Sequence, residues 1–99
     1  MSASPPAIRT CTLTPENAAT PAMLYDCLAG DLALPRHFGR NLDALYDCLT
    51  TDVRGPFAIV VRQPGALRDL LGDTWDEFAV LLLDLVTERD DLTVTFTGD

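Results

Sequence analysis

The chain has 99 residues, 47% of them hydrophobic, and a formal net charge of −8 at pH 7. This length suits one domain over residues 1–99, and the hydrophobic content excludes a chain that is disordered by composition. All of the basic residues are arginines, and acidic residues outnumber them by fifteen to seven. Such a surface attracts basic partners and repels phosphate backbones, so we expect no direct nucleic-acid binding.

No apolar run approaches the roughly 18–20 residues of a membrane span, and MSASPPAIRT at the N-terminus lacks the pattern of a secretory signal. These features predict a cytoplasmic protein that does not enter a membrane, with a loose tail at residues 1–6. Cys11, Cys27 and Cys48 form neither a CxxC motif nor a cluster with histidine, and their odd number favours reduced thiols. We expect all three to be small buried side chains, and we predict no metal or cofactor.

The first quarter of the chain predicts a strand and then a helix. IRTCTL, residues 8–13, alternates apolar and polar side chains as a half-buried strand does. Thr20 followed by Pro21 marks a helix start, because a hydroxyl can cap the helix and proline suits its first position. This helix is predicted to run to about Ala29, with Gly30 as its stop.

A second helix and a central strand follow. After the loop LALPRHFGR, Asn41 can cap a helix over residues 42–51. FAIVVR, residues 57–62, is a continuous apolar run, which is typical of a strand buried on both faces.

The last third predicts two more helices and a strand. A short helix should point Leu67, Leu70 and Leu71 inward, and Thr74 should cap a longer helix that ends near Arg89. LTVTF, residues 92–96, closes the chain as a strand. Strands joined through helices form a parallel sheet, so we predict an α/β fold with a three-stranded parallel sheet and about four helices.

The second helix is amphipathic. On a helical wheel Asp43 and Asp47 lie one turn apart on its outer side, beside Thr50, with Tyr46 at the border. Like charges at this spacing destabilise a helix by roughly 0.2–0.5 kcal/mol, and only Asp43, in the first turn, gains from the helix dipole. A solvated face and a binding surface are both compatible with this pair.

The long helix has a second acidic stripe. Glu77, Asp84 and Glu88 share its polar side, which by itself is typical of a solvated face. The two acidic stripes indicate a site only if they face the same way in the fold. The apolar positions of this helix are Trp75, Phe78, Leu81, Leu82, Leu85 and Val86.

Paired carboxylates can also serve acid–base catalysis or hold a metal. The only histidine, His37, lies in a loop, and there is no Gly-rich phosphate loop, HExxH motif or EF-hand pattern. We therefore predict that the chain is not an enzyme.

LALPRHFGRNLDALYDCLT, residues 32–50, resembles the signature of the barstar family, intracellular inhibitors of secreted, guanyl-specific ribonucleases of the barnase type. The likeness extends more loosely over almost the whole chain. It implies a three-stranded parallel sheet with helices, and a 1:1 complex with a secreted microbial ribonuclease against which the protein protects its producer.

The resemblance also implies a contact surface. In this family the second helix and the loop before it cover the ribonuclease active site, and their acids stand in for RNA phosphates. Asp47 would be the central anchor, with Asp43 beside it. The implied contact residues are His37, Phe38, Gly39, Asn41, Leu42, Asp43, Tyr46, Asp47, Thr50, Asp52, Asp84 and Glu88.

The chain departs from the family pattern within this surface. His37 and Tyr46 stand in place of a tyrosine and a tryptophan, and Asp52 in place of another tryptophan, while Arg36 and Arg40 add positive charge to the loop. These departures predict a target other than barnase itself. Two alternatives stay open: a barstar-like module that binds another basic toxin or protein without inhibiting a ribonuclease, and a structural or regulatory domain whose acids are only solvated.

Overall fold

The computed structural model describes residues 8–36 and 38–98, so the predicted tail at residues 1–6 and His37 lie outside the described residues. The described chain forms an α/β fold with three strands and four helices in the predicted order. The elements are β1 (Arg9–Leu13), α1 (Pro21–Asp31), α2 (Leu42–Asp47), a π-helical segment (Cys48–Asp52), β2 (Phe57–Arg62), α3 (Pro64–Leu71), α4 (Asp73–Glu88) and β3 (Leu92–Thr97). Within these described ranges, no helix has both the length and the apolar character needed to cross a membrane.

The sheet is fully parallel, as predicted, with β2 between β1 and β3. Parallel neighbours require a crossover, and the two crossovers contain α1 with α2 and α3 with α4. The prediction that β2 is buried on both faces is wrong. Phe57, Ile59 and Val61 are buried and join the helical side chains in one core, but Ala58 and Val60 are only half-buried. The helices therefore cover one face of the sheet.

Helix α1 ends later than predicted, and Gly30 lies inside it. Leu28 and Leu32 are both fully buried, and the Leu32 N–H donates to the Leu28 carbonyl at 3.0 Å. Burial of Leu32 thus extends the helix past the glycine. The left-handed residue after the helix is Ala33, with φ of 53°, and the Leu34 N–H bonds back to the Ala29 carbonyl, as in a Schellman motif.

The helices of the second crossover differ from the prediction in three details. Helix α4 begins at Asp73 after Gly72, whose φ is 59°, so Thr74 lies within the first turn and is not the cap. Leu70 and Val86 were expected to point inward, but their exposed fractions are 49% and 41%. The core is filled by Leu67 and Leu71 of α3 and by the other predicted apolar positions of α4.

The second helix changes form at Cys48. The sequence predicts a regular helix over residues 42–51, but residues 48–52 form a wider π-helical turn, in which the Val53 N–H donates to the Cys48 carbonyl at 3.0 Å. The Thr50 hydroxyl donates to the carbonyls of Tyr46 and Asp47 at 2.9 and 3.1 Å, and the Thr51 hydroxyl donates to the Asp47 carbonyl at 2.6 Å. Threonine hydroxyls that bond to helix carbonyls slightly destabilise a regular helix and often bend it.

Arg89 secures the end of this segment. Its side chain is 15% exposed, and its guanidinium donates to the carbonyls of Leu49 and Val53 at 2.9 and 2.5 Å. The same group forms a two-pronged ion pair with Asp91, with distances of 2.9 and 2.7 Å, and lies 4.9 Å from the centroid of the Phe57 ring. One side chain therefore connects the π-helical segment, β2 and the start of β3.

We expect Arg89→Ala to lower the free energy of unfolding by about 3 kcal/mol, because hydrogen bonds to charged groups contribute roughly 1.5–3 kcal/mol each. Urea unfolding of the two proteins measures this difference. Arg62→Ala, which removes an exposed arginine, should change it by less than about 0.5 kcal/mol. Equal effects of the two substitutions would contradict a structural role for Arg89.

Candidate functional site

The loop before α2 is held against α1 by two contacts. Phe38 is 9% exposed, and its ring meets the ring of Tyr25 edge to face, with centroids 5.9 Å apart. The Arg40 guanidinium donates to the Asp26 carboxylate at 2.6 Å and to the Ala22 carbonyl at 3.1 Å. Arg40 therefore lies beside a carboxylate of α1, which offsets the positive charge that the sequence adds to the loop.

Asn41 begins the second helix as predicted. Its side-chain oxygen accepts a hydrogen bond from the Ala44 N–H at 2.8 Å, and its amide donates to the Gly39 carbonyl at 3.3 Å. A methyl group on Gly39 would lie 3.4 Å from the Ala44 side chain, in ordinary van der Waals contact, so this turn has room for an alanine. The cap fixes the direction in which the outer side of α2 faces.

The outer side of α2 presents two exposed carboxylates, those of Asp43 and Asp47. Neither accepts a hydrogen bond or forms an ion pair with a residue of the described chain. On the inner side Leu45 and Leu49 are fully buried. Asp43 lies in the first turn, where the helix dipole stabilises its charge, whereas Asp47 lies at the end of the α-helical part.

A groove of about 560 Å³ lies between α2 and α4. Both helices contribute acids to it, Asp43 from α2 and Glu77 with Asp84 from α4. Acids from both stripes of the sequence therefore line one groove, although Asp47 and Glu88 lie outside its lining. Its lining residues are Tyr25, Asn41, Leu42, Asp43, Tyr46, Thr74, Glu77, Val80, Leu81 and Asp84.

Tyr46 lies within the electrostatic influence of acids from both helices. Partial burial raises the pKa of the Tyr46 phenol above its usual 10.0, and the charges of Glu88, Asp84 and Asp47 raise it further, because each opposes formation of a phenolate. Burial and then Glu77 act in the same direction on the pKa of the Tyr25 phenol, while Arg40 opposes them. The acids therefore give the groove a negative potential, which Arg40 partly offsets near Tyr25.

The chain matches a known family over nearly its whole length. The family model described as Barstar (barnase inhibitor) covers residues 8–98. The chain belongs to the barstar family. The Bacillus subtilis (strain 168) protein named "Putative ribonuclease inhibitor YrdF" is 35% identical to it over 69 residues, which make up 70% of this chain and 76% of that protein.

Most of the contact residues expected from the barstar family lie around the groove. Asn41, Leu42, Asp43, Tyr46 and Asp84 line it. The surface around it includes three further expected contacts, which are Asp47, Glu88 and Gly39.

Three other expected contacts have local roles in this barstar-family structure. Phe38 is buried against Tyr25, and the Thr50 hydroxyl faces backbone carbonyls. The Asp52 carboxylate interacts with the Cys48 thiol, whose pKa is raised first by burial and then by this acid.

The sequence prediction did not include Tyr25, Thr74 or Glu77 in the site, although all three line the groove. The helical spacing of the acids on α4 was a reason to include Glu77, because this residue shares their stripe. No pattern in the sequence indicated Tyr25 or Thr74, since their position depends on how α1 and α4 pack against α2.

The lining groups of this barstar-family groove are carboxylates, phenols, a hydroxyl, an amide and aliphatic side chains, so its described residues suit the binding of cations.

The Tyr46 titration provides a test of this geometry. In a Tyr25→Phe variant Tyr46 is the only phenol, and ultraviolet titration should give a pKa above 10.0. Glu88→Gln in the same background should lower that pKa, because it removes a neighbouring negative charge.

The raised pKa of Tyr46 also affects stability. Since the folded pKa exceeds the unfolded one, the contribution of Tyr46 to stability is present below about pH 10 and is lost as the pH rises through the folded pKa. A Tyr46 pKa that does not respond to Glu88→Gln would contradict the proximity of the two side chains.

Proposed function

We propose that this barstar-family protein inhibits a microbial, guanyl-specific extracellular ribonuclease inside the cell that produces both. It would bind the enzyme 1:1 and cover the active site with α2 and the preceding loop. The observation that supports this most strongly is the convergence of Asp43, Glu77 and Asp84 on one groove, with Asp47 and Glu88 beside it. The family's description as barnase inhibitor supports the choice of enzyme class.

The mechanism follows from charge and shape. A ribonuclease active site binds RNA phosphates through cationic side chains, and exposed carboxylates can take the place of those phosphates. Asp47 would occupy the centre of the interface, where charges are most completely removed from water, and Asp43 would bind beside it. The groove between α2 and α4 has room for a basic side chain of the enzyme between Asp43 and Asp84.

The loop arginines are compatible with this orientation. Arg40, which the sequence places next to the contact surface, pairs with Asp26 of α1, and both side chains remain partly exposed at 46% and 69%. An enzyme that approaches α2 would therefore meet less uncompensated positive charge than the sequence suggests. Arg36 is exposed, and we assign to it a contact with an acid at the rim of the enzyme's cleft.

The decisive variant is Asp47→Ala. Removing one member of a buried, hydrogen-bonded charge pair costs about 2–5 kcal/mol, a range that derives in part from the barnase–barstar pair itself. This corresponds to about 30- to 4,000-fold in Kd. Titration of the protein into a panel of small guanyl-specific ribonucleases, with RNA cleavage as the readout, should show stoichiometric inhibition that Asp47→Ala strongly relieves.

Asp69→Ala is the matched control, because Asp69 is an exposed acid on α3 that does not line the groove. It should leave inhibition unchanged. If no enzyme of the panel is inhibited by the native protein, the proposed enzyme class is wrong, and the barstar-like module that binds another basic toxin becomes the better reading. If Asp47→Ala and Asp69→Ala have equal effects, the solvated-face reading is the better one.

The rim acids should act on the association rate. Glu88 is exposed at the end of α4, so its charge attracts a basic enzyme from a distance without being deeply buried in the complex. Stopped-flow measurement should show that the association rate constant falls steeply as ionic strength rises. We expect Glu88→Gln to reduce that rate constant and its salt dependence while changing the dissociation rate little. A complex whose association is independent of salt would argue against electrostatic attraction.

A further inference from the structure

We propose that Cys11, Cys27 and Asp31 form a binding site for a soft divalent metal ion of the Zn²⁺ type. Cys11 lies in the middle of β1, and Cys27 and Asp31 lie one turn apart on α1. None of the three lines the groove between α2 and α4. The site is therefore separate from the proposed ribonuclease-binding surface and independent of the proposed function.

Two of the three distances between the ligand atoms are close to those of a tetrahedral ion. The two Sγ atoms are 3.8 Å apart, and Cys27 Sγ is 3.7 Å from Asp31 Oδ2. Zn–S bonds of about 2.3 Å and Zn–O bonds of about 2.0 Å at tetrahedral angles require S···S and S···O separations of about 3.8 and 3.5 Å. All three ligand atoms lie within 4.8 Å of one another, and Asp31 is exposed at the end of α1, where its carboxylate can rotate toward the ion.

The charges balance when an ion binds. Before an ion binds, the cluster consists of two protonated thiols and the Asp31 carboxylate, with a net charge of −1. A divalent ion that binds two thiolates and one carboxylate releases those two protons to solvent. The cluster then has the same net charge of −1, and no oxidant or reductant takes part.

Access and ligand type favour a soft ion. Cys11 is fully buried, Cys27 is half-buried and Asp31 is exposed, so an ion enters from the side of Asp31. Thiolates select Zn²⁺ and similar ions over Mg²⁺ and Ca²⁺, which prefer oxygen ligands. Three protein ligands leave the fourth position for a water molecule.

The first experiment uses Co²⁺ as a spectroscopic probe, with the folded protein kept reduced by a non-thiol reductant under inert gas. One equivalent of Co²⁺ should produce a thiolate-to-metal charge-transfer band and the strong visible bands of tetrahedral coordination. One equivalent of Zn²⁺ should then remove both. No thiolate band, or one that saturates only with several equivalents, would overturn the proposal, because the two thiols would then be only hydrogen-bonded to each other.

Three variants assign the ligands. Cys27→Ser should abolish the charge-transfer band, and Asp31→Asn, an exposed substitution that leaves the core intact, should weaken Co²⁺ binding by at least about tenfold. Cys48→Ala removes the thiol outside the cluster and should leave the spectrum and the affinity unchanged. A spectrum that survives Cys27→Ser, disappears in Cys48→Ala, or is insensitive to Asp31→Asn would show that these three residues are not the ligands.

Discussion

The guanidinium of Arg89 connects the end of the second helix, which carries the proposed binding surface, to the sheet. The Arg89 side chain is 15% exposed, and the cost of removing most of a cation from water is offset by the carbonyls, the carboxylate and the aromatic ring around it. It satisfies the carbonyls of Leu49 and Val53, at a helix end where backbone acceptors otherwise lack partners. Its other contacts are Asp91 and the ring of Phe57. The position of the second helix is thus fixed to the sheet by a polar contact as well as by the core.

The second helix has two sides with different roles: buried apolar residues on one side stabilise it, and acids on the other side are exposed to solvent. Leu45 and Leu49 are fully buried on one side, and each contributes about 1.5–3 kcal/mol by burial. The repulsion between Asp43 and Asp47 on the other side is smaller by several fold. Apolar burial therefore maintains a surface that its own charges oppose. A basic partner that neutralises those charges removes the repulsion. This relief adds to the free energy of binding that the contacts themselves provide.

Local patterns predicted the order of the elements and the Asn41 cap, because each depends on residues that are close in the chain. The parallel sheet followed from that order, since strands joined through helices pair in parallel. The acids of the groove were also predictable individually from their spacing on two helices. Their convergence was not, since it depends on how α2 and α4 pack. The same limit applies to Arg40, whose partner Asp26 lies on another helix, and to Cys11 and Cys27, which approach each other only when α1 packs on β1. The π-helical turn after Asp47 was not predicted, because apolar periodicity does not show where threonine hydroxyls bond to helix carbonyls.

The parallel arrangement of the strands has a consequence for folding. Arg9 pairs with Phe57, and Phe57 pairs with Leu92, so every strand pair joins segments separated by a whole crossover. Such non-local pairing is slow, because the chain loses loop entropy before the contacts that compensate for it can form. Helix α2 belongs to the first crossover and α4 to the second, so the groove between them exists only when both crossovers are complete. A partner that recognises this groove therefore requires both crossovers to be folded.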